Sequence, residues 1–84
     1  MTAPARAEVR RVVLDVIAEI LPGVPPEEIT DDKNLLDLGA DSVERVEIIV
    51  ELQHRFGSTE PVSRFADVPD IGALVAFFDE AGRR

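Results

Sequence analysis

The chain has 84 residues, enough for one small domain with a thin core, since a chain of this size buries only about 60% of its unfolded surface. A formal net charge of −8 and a pI of about 4.4 argue against nucleic acid or an anionic membrane surface as partner, and favour basic faces on other proteins. Cysteine is absent. That excludes a disulfide framework or a thiolate metal site and suits a reducing cytosol. No run approaches the roughly 20 apolar residues that span a bilayer.

Met1–Ala5 reads as a frayed tail, with Pro4 as a helix opener. Val9, Val12, Val13, Val16, Ile17, Ile20 and Leu21 then recur at helical spacing and predict an amphipathic helix, closed by Pro22 and Gly23. A long connection follows to Ala40. Pro25 and Pro26 discourage regular structure, and Thr30 to Asn34 is rich in turn formers. Val24, Ile29, Leu35, Leu36 and Leu38 are expected to fasten this loop to the core.

The second helix is predicted over 42–56. Asp41 and Glu44 have the spacing of a capping box, and Gly57 suits the left-handed stop. A short helical turn is expected at 61–66. A last helix is expected from about Asp70 to Ala81, with Asp67 and Pro69 marking its start, Ile71, Leu74, Val75 and Phe78 as its buried stripe, and Gly82 as its stop. Strand alternation is missing. The fold class is therefore all-α: a small bundle of three main helices plus one short helix, with a long loop between the first two.

The stretch from Leu36 to Ile49 carries the functional signal. A turn ending at Gly39 and Ala40 delivers the chain to Asp41 and Ser42 at a helix start, where an exposed hydroxyl meets free N–H groups. Gly39 permits an unusual backbone angle, and Ala40 keeps bulk away from the hydroxyl. As a nucleophile Ser42 would need a base. The only histidine, His54, lies twelve positions on along the same helix, roughly 18 Å away at 1.5 Å per residue. That removes a Ser–His pair. Asp31 and Asp32 lack the glycine and bidentate glutamate of a calcium loop, so no metal site is expected. Ser42 is a poor catalyst but a well-placed attachment point. An isolated serine here would read simply as a cap.

The helix behind it has two apolar sectors. Ile48, Ile49, Leu52 and Phe56 form one. Val43, Val46 and Val50 form another, bordered by Glu44, Glu47 and Glu51. Residues 37–51 hold five acids and one base, Arg45. Valines framed by carboxylates read as a docking surface for basic partners; the alternative is that they pack under the long loop.

The run Asp37-Leu38-Gly39-Ala40-Asp41-Ser42-Val43, with Glu44, Val46, Glu47 and Ile48 behind it, resembles the attachment site of acyl carrier proteins. The resemblance extends over nearly the whole chain. It implies a carrier without turnover of its own. Ser42 would hold a covalent 4′-phosphopantetheine derived from coenzyme A, beside Asp41 and Gly39, and the arm's thiol would bear acyl thioesters. It implies a partner-recognition face of Val43, Glu44, Arg45, Val46, Glu47, Val50 and Glu51. Val43 stands where the family usually has leucine.

The segment Gly39–Arg45 is similar to discrete polyketide carriers, in particular donor carriers of β-branching cassettes, although Asp41 stands where that subgroup often has Asn. The partners so implied are a phosphopantetheinyl transferase, an acyltransferase, a ketosynthase-like decarboxylase and a 3-hydroxy-3-methylglutaryl synthase-like enzyme. Fatty-acid and peptidyl carriers are the alternatives within the class. An unmodified acidic helical interaction module is the alternative outside it. The expected unit is one cytoplasmic, monomeric domain over 1–84, bounded tightly by Met1 and Arg84 as a freestanding carrier, or a domain excised from a longer chain, would be.

Overall fold

A computed structural model describes residues 5–81, the side chains of Ala66 and Asp67 excepted. The expected tail, apart from Ala5, and the expected stop at Gly82 lie outside the described residues. Three α-helices form: α1 at Arg6–Ile20, α2 at Ser42–Phe56 and α3 at Ile71–Ala81. Two 3-10 turns, Pro26–Glu28 and Val62–Asp67, punctuate the connections. The described residues thus make the expected all-helical bundle, with the short fourth helix wound as a 3-10 turn. The turn at Pro26–Glu28 was not expected. Pro26 opens it at N1, where a missing N–H costs nothing.

The core follows the helical periodicity. Val9, Val13, Val16, Ile17 and Leu21 of the first stripe are buried, while Val12 and Ile20 are half-buried at its edges. They meet Ile48, Ile49 and Leu52 from α2, and Ile71, Leu74, Val75 and Phe78 from α3. Helix α1 packs against both others. All four phenylalanines gather at one end. Phe78 stacks on Phe56 at 4.9 Å and lies 5.6 Å from Phe65, which in turn meets Phe77 at 4.6 Å. Such contacts add specific geometry to the area they bury.

The long loop is held at several points. Ile29, Leu35 and Leu38 are buried, and Val24 packs partly against the core. Leu36 does not follow the expectation: it is 66% exposed. The reason is local. Residues 34–38 close one helical turn, so Leu35 and Leu38, three apart, share the inner side and Leu36 is rotated outward.

The same loop caps α3. The carbonyls of Lys33 and Asp31 accept from Ile71 N (2.8 Å) and Gly72 N (3.0 Å), and Asp70 Oδ1 accepts from Ala73 N (2.8 Å). Three donors at the helix start are thereby satisfied. The capping side chain is Asp70, the residue from which the helix is expected to run. Gly72 makes the approach possible, because a Cβ there would stand 3.2 Å from Asp31 Cβ. From the other side, Arg10 of α1 donates to Asp31 Oδ1 (3.0 Å) and to Ile29 O (3.4 Å).

Candidate attachment site

The approach to Ser42 is built from two caps in series. Asn34 and Asp37 bond reciprocally, Asp37 N to Asn34 Oδ1 at 2.7 Å and Asn34 N to Asp37 Oδ2 at 3.1 Å. This closes the start of the small helical turn. Its end is a Schellman arrangement: Gly39 N donates to Leu36 O (3.0 Å) and Ala40 N to Leu35 O (3.0 Å). Gly39 has φ +92°, and a Cβ there would meet nothing within 4 Å. The glycine is therefore required by backbone angle and not by crowding. Ala40 differs from expectation. It is buried in the core cluster, so its small size lets the turn pack inward and does not serve the hydroxyl.

Asp41 then caps α2. Its Oδ1 accepts from Glu44 N at 2.8 Å, and Glu44 Oε1 accepts from Asp41 N at 3.1 Å, a complete capping box. Ser42 is consequently the first helical residue and not the cap. Its side chain is exposed, and capping does not employ its hydroxyl. The capping box engages the N–H groups of Asp41 and Glu44; those of Ser42 and Val43 lie between them at the positive end of the helix dipole. An exposed hydroxyl on open surface beside two such N–H groups fits a phosphodiester-linked group. The far end of α2 repeats the device, with Gly57 at φ +66° and Ser58 N donating to Gln53 O at 2.8 Å. His54 is exposed near that end, remote from Ser42.

The valine sector lies open. Val43, Val46 and Val50 are 64%, 44% and 50% exposed, so they do not pack under the loop. Glu47 is exposed beside them, and Glu44 and Glu51 are half-buried. Arg45 behaves differently from its neighbours. It is half-buried, and its Nη2 donates to Phe65 O at 3.1 Å, tying α2 to the second 3-10 turn. It stands at the edge of a cavity of about 270 Å³ floored by Leu35, Ile49, Phe65 and Leu74, with Leu36 at the rim. Leu36 and Arg45 thus meet at one cavity, which the sequence does not indicate. The three-residue spacing of Leu35 and Leu38 was the available signal for Leu36. A hydrogen bond between residues 45 and 65 has none.

A family model for the phosphopantetheine attachment site matches residues 11–78, about four-fifths of the chain. The chain belongs to that family. An acyl carrier protein from Amoebophilus asiaticus is 33% identical over 75 residues, covering 88% of this chain and 92% of that protein. The non-reducing polyketide synthase adrD of Penicillium roqueforti is 39% identical over 64 residues, which is 76% of this chain and 2% of the synthase. The citrinin polyketide synthase of Monascus ruber is 38% identical over 55 residues, again 2% of its length. Phosphopantetheine carriers of this family hold 4′-phosphopantetheine covalently, so this member is a carrier of tethered acyl groups and not an enzyme. No helix among the described residues is long and apolar enough to cross a membrane.

Proposed function

We propose that Ser42 is the residue to which 4′-phosphopantetheine is joined, and that the carrier serves polyketide biosynthesis. One observation carries the assignment. The Asp41–Glu44 box discharges the capping duty at α2 and leaves the Ser42 hydroxyl exposed and unemployed. A serine kept at N1 beside a competent cap is a handle, and Gly39 sets the turn that presents it. The N–H groups of Ser42 and Val43 would receive the phosphate's charge. When bound, the arm supplies a thiol that bears an acyl group as a thioester. Everything else this chain does is presentation and recognition. Exposed Val43, Val46 and Val50 with Glu44, Glu47 and Glu51 form the recognition face, while Arg45 has one donor committed to Phe65 O and its remaining N–H groups to offer a partner.

Polyketide service is supported by the matches to polyketide synthases, of which the chain spans about 2%. The finer reading is a β-branching donor. It is supported by the run Gly39–Arg45 and would involve an acyltransferase, a ketosynthase-like decarboxylase and a 3-hydroxy-3-methylglutaryl synthase-like enzyme. A fatty-acid-synthesis carrier is the second reading, favoured by the match along 92% of an acyl carrier protein.

Incubation with a broad-specificity phosphopantetheinyl transferase and coenzyme A should add the mass of one phosphopantetheine, and Ser42→Ala should abolish the addition. A wild-type chain that stays unmodified would leave only the unmodified interaction module standing. Loaded with malonyl, the carrier should be decarboxylated to acetyl by a ketosynthase-like decarboxylase under the β-branching reading, and remain malonyl-bearing under the fatty-acid one.

A further inference from the structure

Arg45 is the one base among residues 37–51, and it lines a cavity away from the exposed valines. The cavity lies between the long loop, α2, the second 3-10 turn and the start of α3. Leu35, Ile49, Phe65 and Leu74 floor it, and exposed Leu36 stands at its rim. At about 270 Å³ it falls below the roughly 300–1,000 Å³ of sites for drug-sized ligands and suits a short group. Its polar lining is unequal. Asn34 is bonded to Asp37, and Asp70 Oδ1 accepts from Ala73 N to cap α3. Arg45 forms no ion pair among the described residues. Its bond to Phe65 O employs only one of the guanidinium's donors. The cavity therefore has an aliphatic floor and one cation at its edge with donors to spare.

Resting on the assignment of Ser42 as the attachment residue, we infer that Arg45 selects the cargo: it holds the terminal carboxylate of a short dicarboxylic thioester of the malonyl class, with the rest of the acyl group in this cavity. Position favours this occupant. Arg45 follows Ser42 by three residues, so the two share a side of α2, about 4.5 Å apart along its axis. An arm joined to Ser42 starts one turn from the cavity and needs only to fold along its rim. Charge favours it too. On a chain of net charge −8, an anionic cargo is repelled by Glu44, Glu47 and Glu51 on the outer face. The nearest arginine to Ser42 along α2 is Arg45; the next, Arg55, is held between Glu19 and Glu51. A guanidinium with free donors matches a carboxylate in charge and in planar shape. A neutral acyl group of the same length would gain the apolar floor but not these bonds. A carboxylate entering without Arg45 would leave water with no partner. The cavity thereby discriminates by the charge at the end of the acyl group, not by its length.

The test loads the full chain with malonyl- or acetoacetyl-phosphopantetheine, using the corresponding coenzyme A thioesters and a broad-specificity phosphopantetheinyl transferase, with intact mass confirming a single addition. The two acyl groups are alike in shape and differ in charge. By NMR at pH 7, malonyl should shift the methyl signals of Leu36, Ile49 and Leu74 and the Nε–H of Arg45. Acetoacetyl should shift them about threefold less, lacking the charge-assisted bonds. The malonyl carboxyl, titrated by NMR, should bind its proton about threefold more weakly on the wild-type chain than on Arg45→Gln, because a neighbouring cation favours the carboxylate. Arg45→Lys, which keeps the charge but not the planar fork, is the second variant should Arg45→Gln melt early, and its titration should fall between the two. The comparison of the two cargoes on the wild-type chain needs no variant at all. Equal shifts from both cargoes, shifts from neither, or a malonyl titration that Arg45→Gln leaves unmoved would overturn the selection while leaving Ser42 as the attachment residue. A wild-type chain that is never loaded, or a Ser42→Ala chain that is, overturns both readings, and so separates the two failures.

Discussion

Helix α2 carries two apolar faces of similar composition and opposite fate. Ile48, Ile49 and Leu52 are at most 3% exposed, whereas Val43, Val46 and Val50 are at least 44% exposed. Residue chemistry does not separate them; angular position does. The inner face meets α1 and α3 and completes the core. The outer face lies largely open and is bordered by Glu44, Glu47 and Glu51. A small domain gains stability from the first, while the second is surface the fold does not require. The contrast shows how one helix divides its duties, one side fixing the serine's position and the other addressing whatever reaches it.

The largest test of that division is a pair of truncations on one helix. Leu52→Ala removes a fully buried side chain and should cost about 3 kcal/mol, within the 2–5 kcal/mol range for such cavities. For a domain this size that lowers Tm by about 12–24 °C. Val46→Ala should change stability by less than about 0.5 kcal/mol, yet slow transferase loading. Thermal melts of both variants decide it. Equal losses would mean that the outer face is structural like the inner one.

A smaller effect tests whether the serine stands apart from the cap. Asp41→Ala should cost about 1 kcal/mol, because Glu44 N loses its acceptor. Ser42→Ala should cost less than about 0.5 kcal/mol, since its hydroxyl serves no cap. Urea titrations of the two variants rank them. A Ser42→Ala loss as large as that of Asp41→Ala would make the hydroxyl structural and weaken its reading as a handle.

What the sequence made legible follows interaction range. Both ends of α2 were readable because Asp41 with Glu44, and Gly57 after Phe56, act within one turn. The inner stripe was readable because helical spacing alone selects it. Leu36 departs from its expected place in the core because Asn34 and Asp37 bond into a helical turn, which buries Leu35 and Leu38 and rotates Leu36 outward. The start of α3 near Asp70 was readable from the sequence, and the structure adds that Asp70 is a side-chain cap. The carbonyls of Asp31 and Lys33 capping α3, the Arg45 bond to Phe65 O and the Arg55 bridge to Glu19 join distant parts of the chain. No local pattern encodes them. The serine and its cap were therefore visible in the sequence, but the long-range contacts around them were not.

The smallest test separates the faces by acid. The inner face holds no ionisable side chain among Ile48, Ile49 and Leu52, so the loss from Leu52→Ala should be similar at pH 7 and pH 4. The loop between α1 and α2 is different. The Thr30 hydroxyl donates to Asp32 and, with the chain's own N–H and the Lys33 charge, holds that carboxyl below its ordinary value of 3.8. A carboxyl depressed in the folded state contributes stability above its unfolded pKa and loses it as pH falls through the folded value. Thr30→Val should move the Asp32 titration, followed by carboxyl NMR, up toward 3.8. Its small cost in stability should be present at pH 7 and vanish in acid. An unmoved titration would mean that the hydroxyl does not support this turn. The loop's grip would then rest on Arg10 and the start of α3, contacts that join it to the same core the inner face completes.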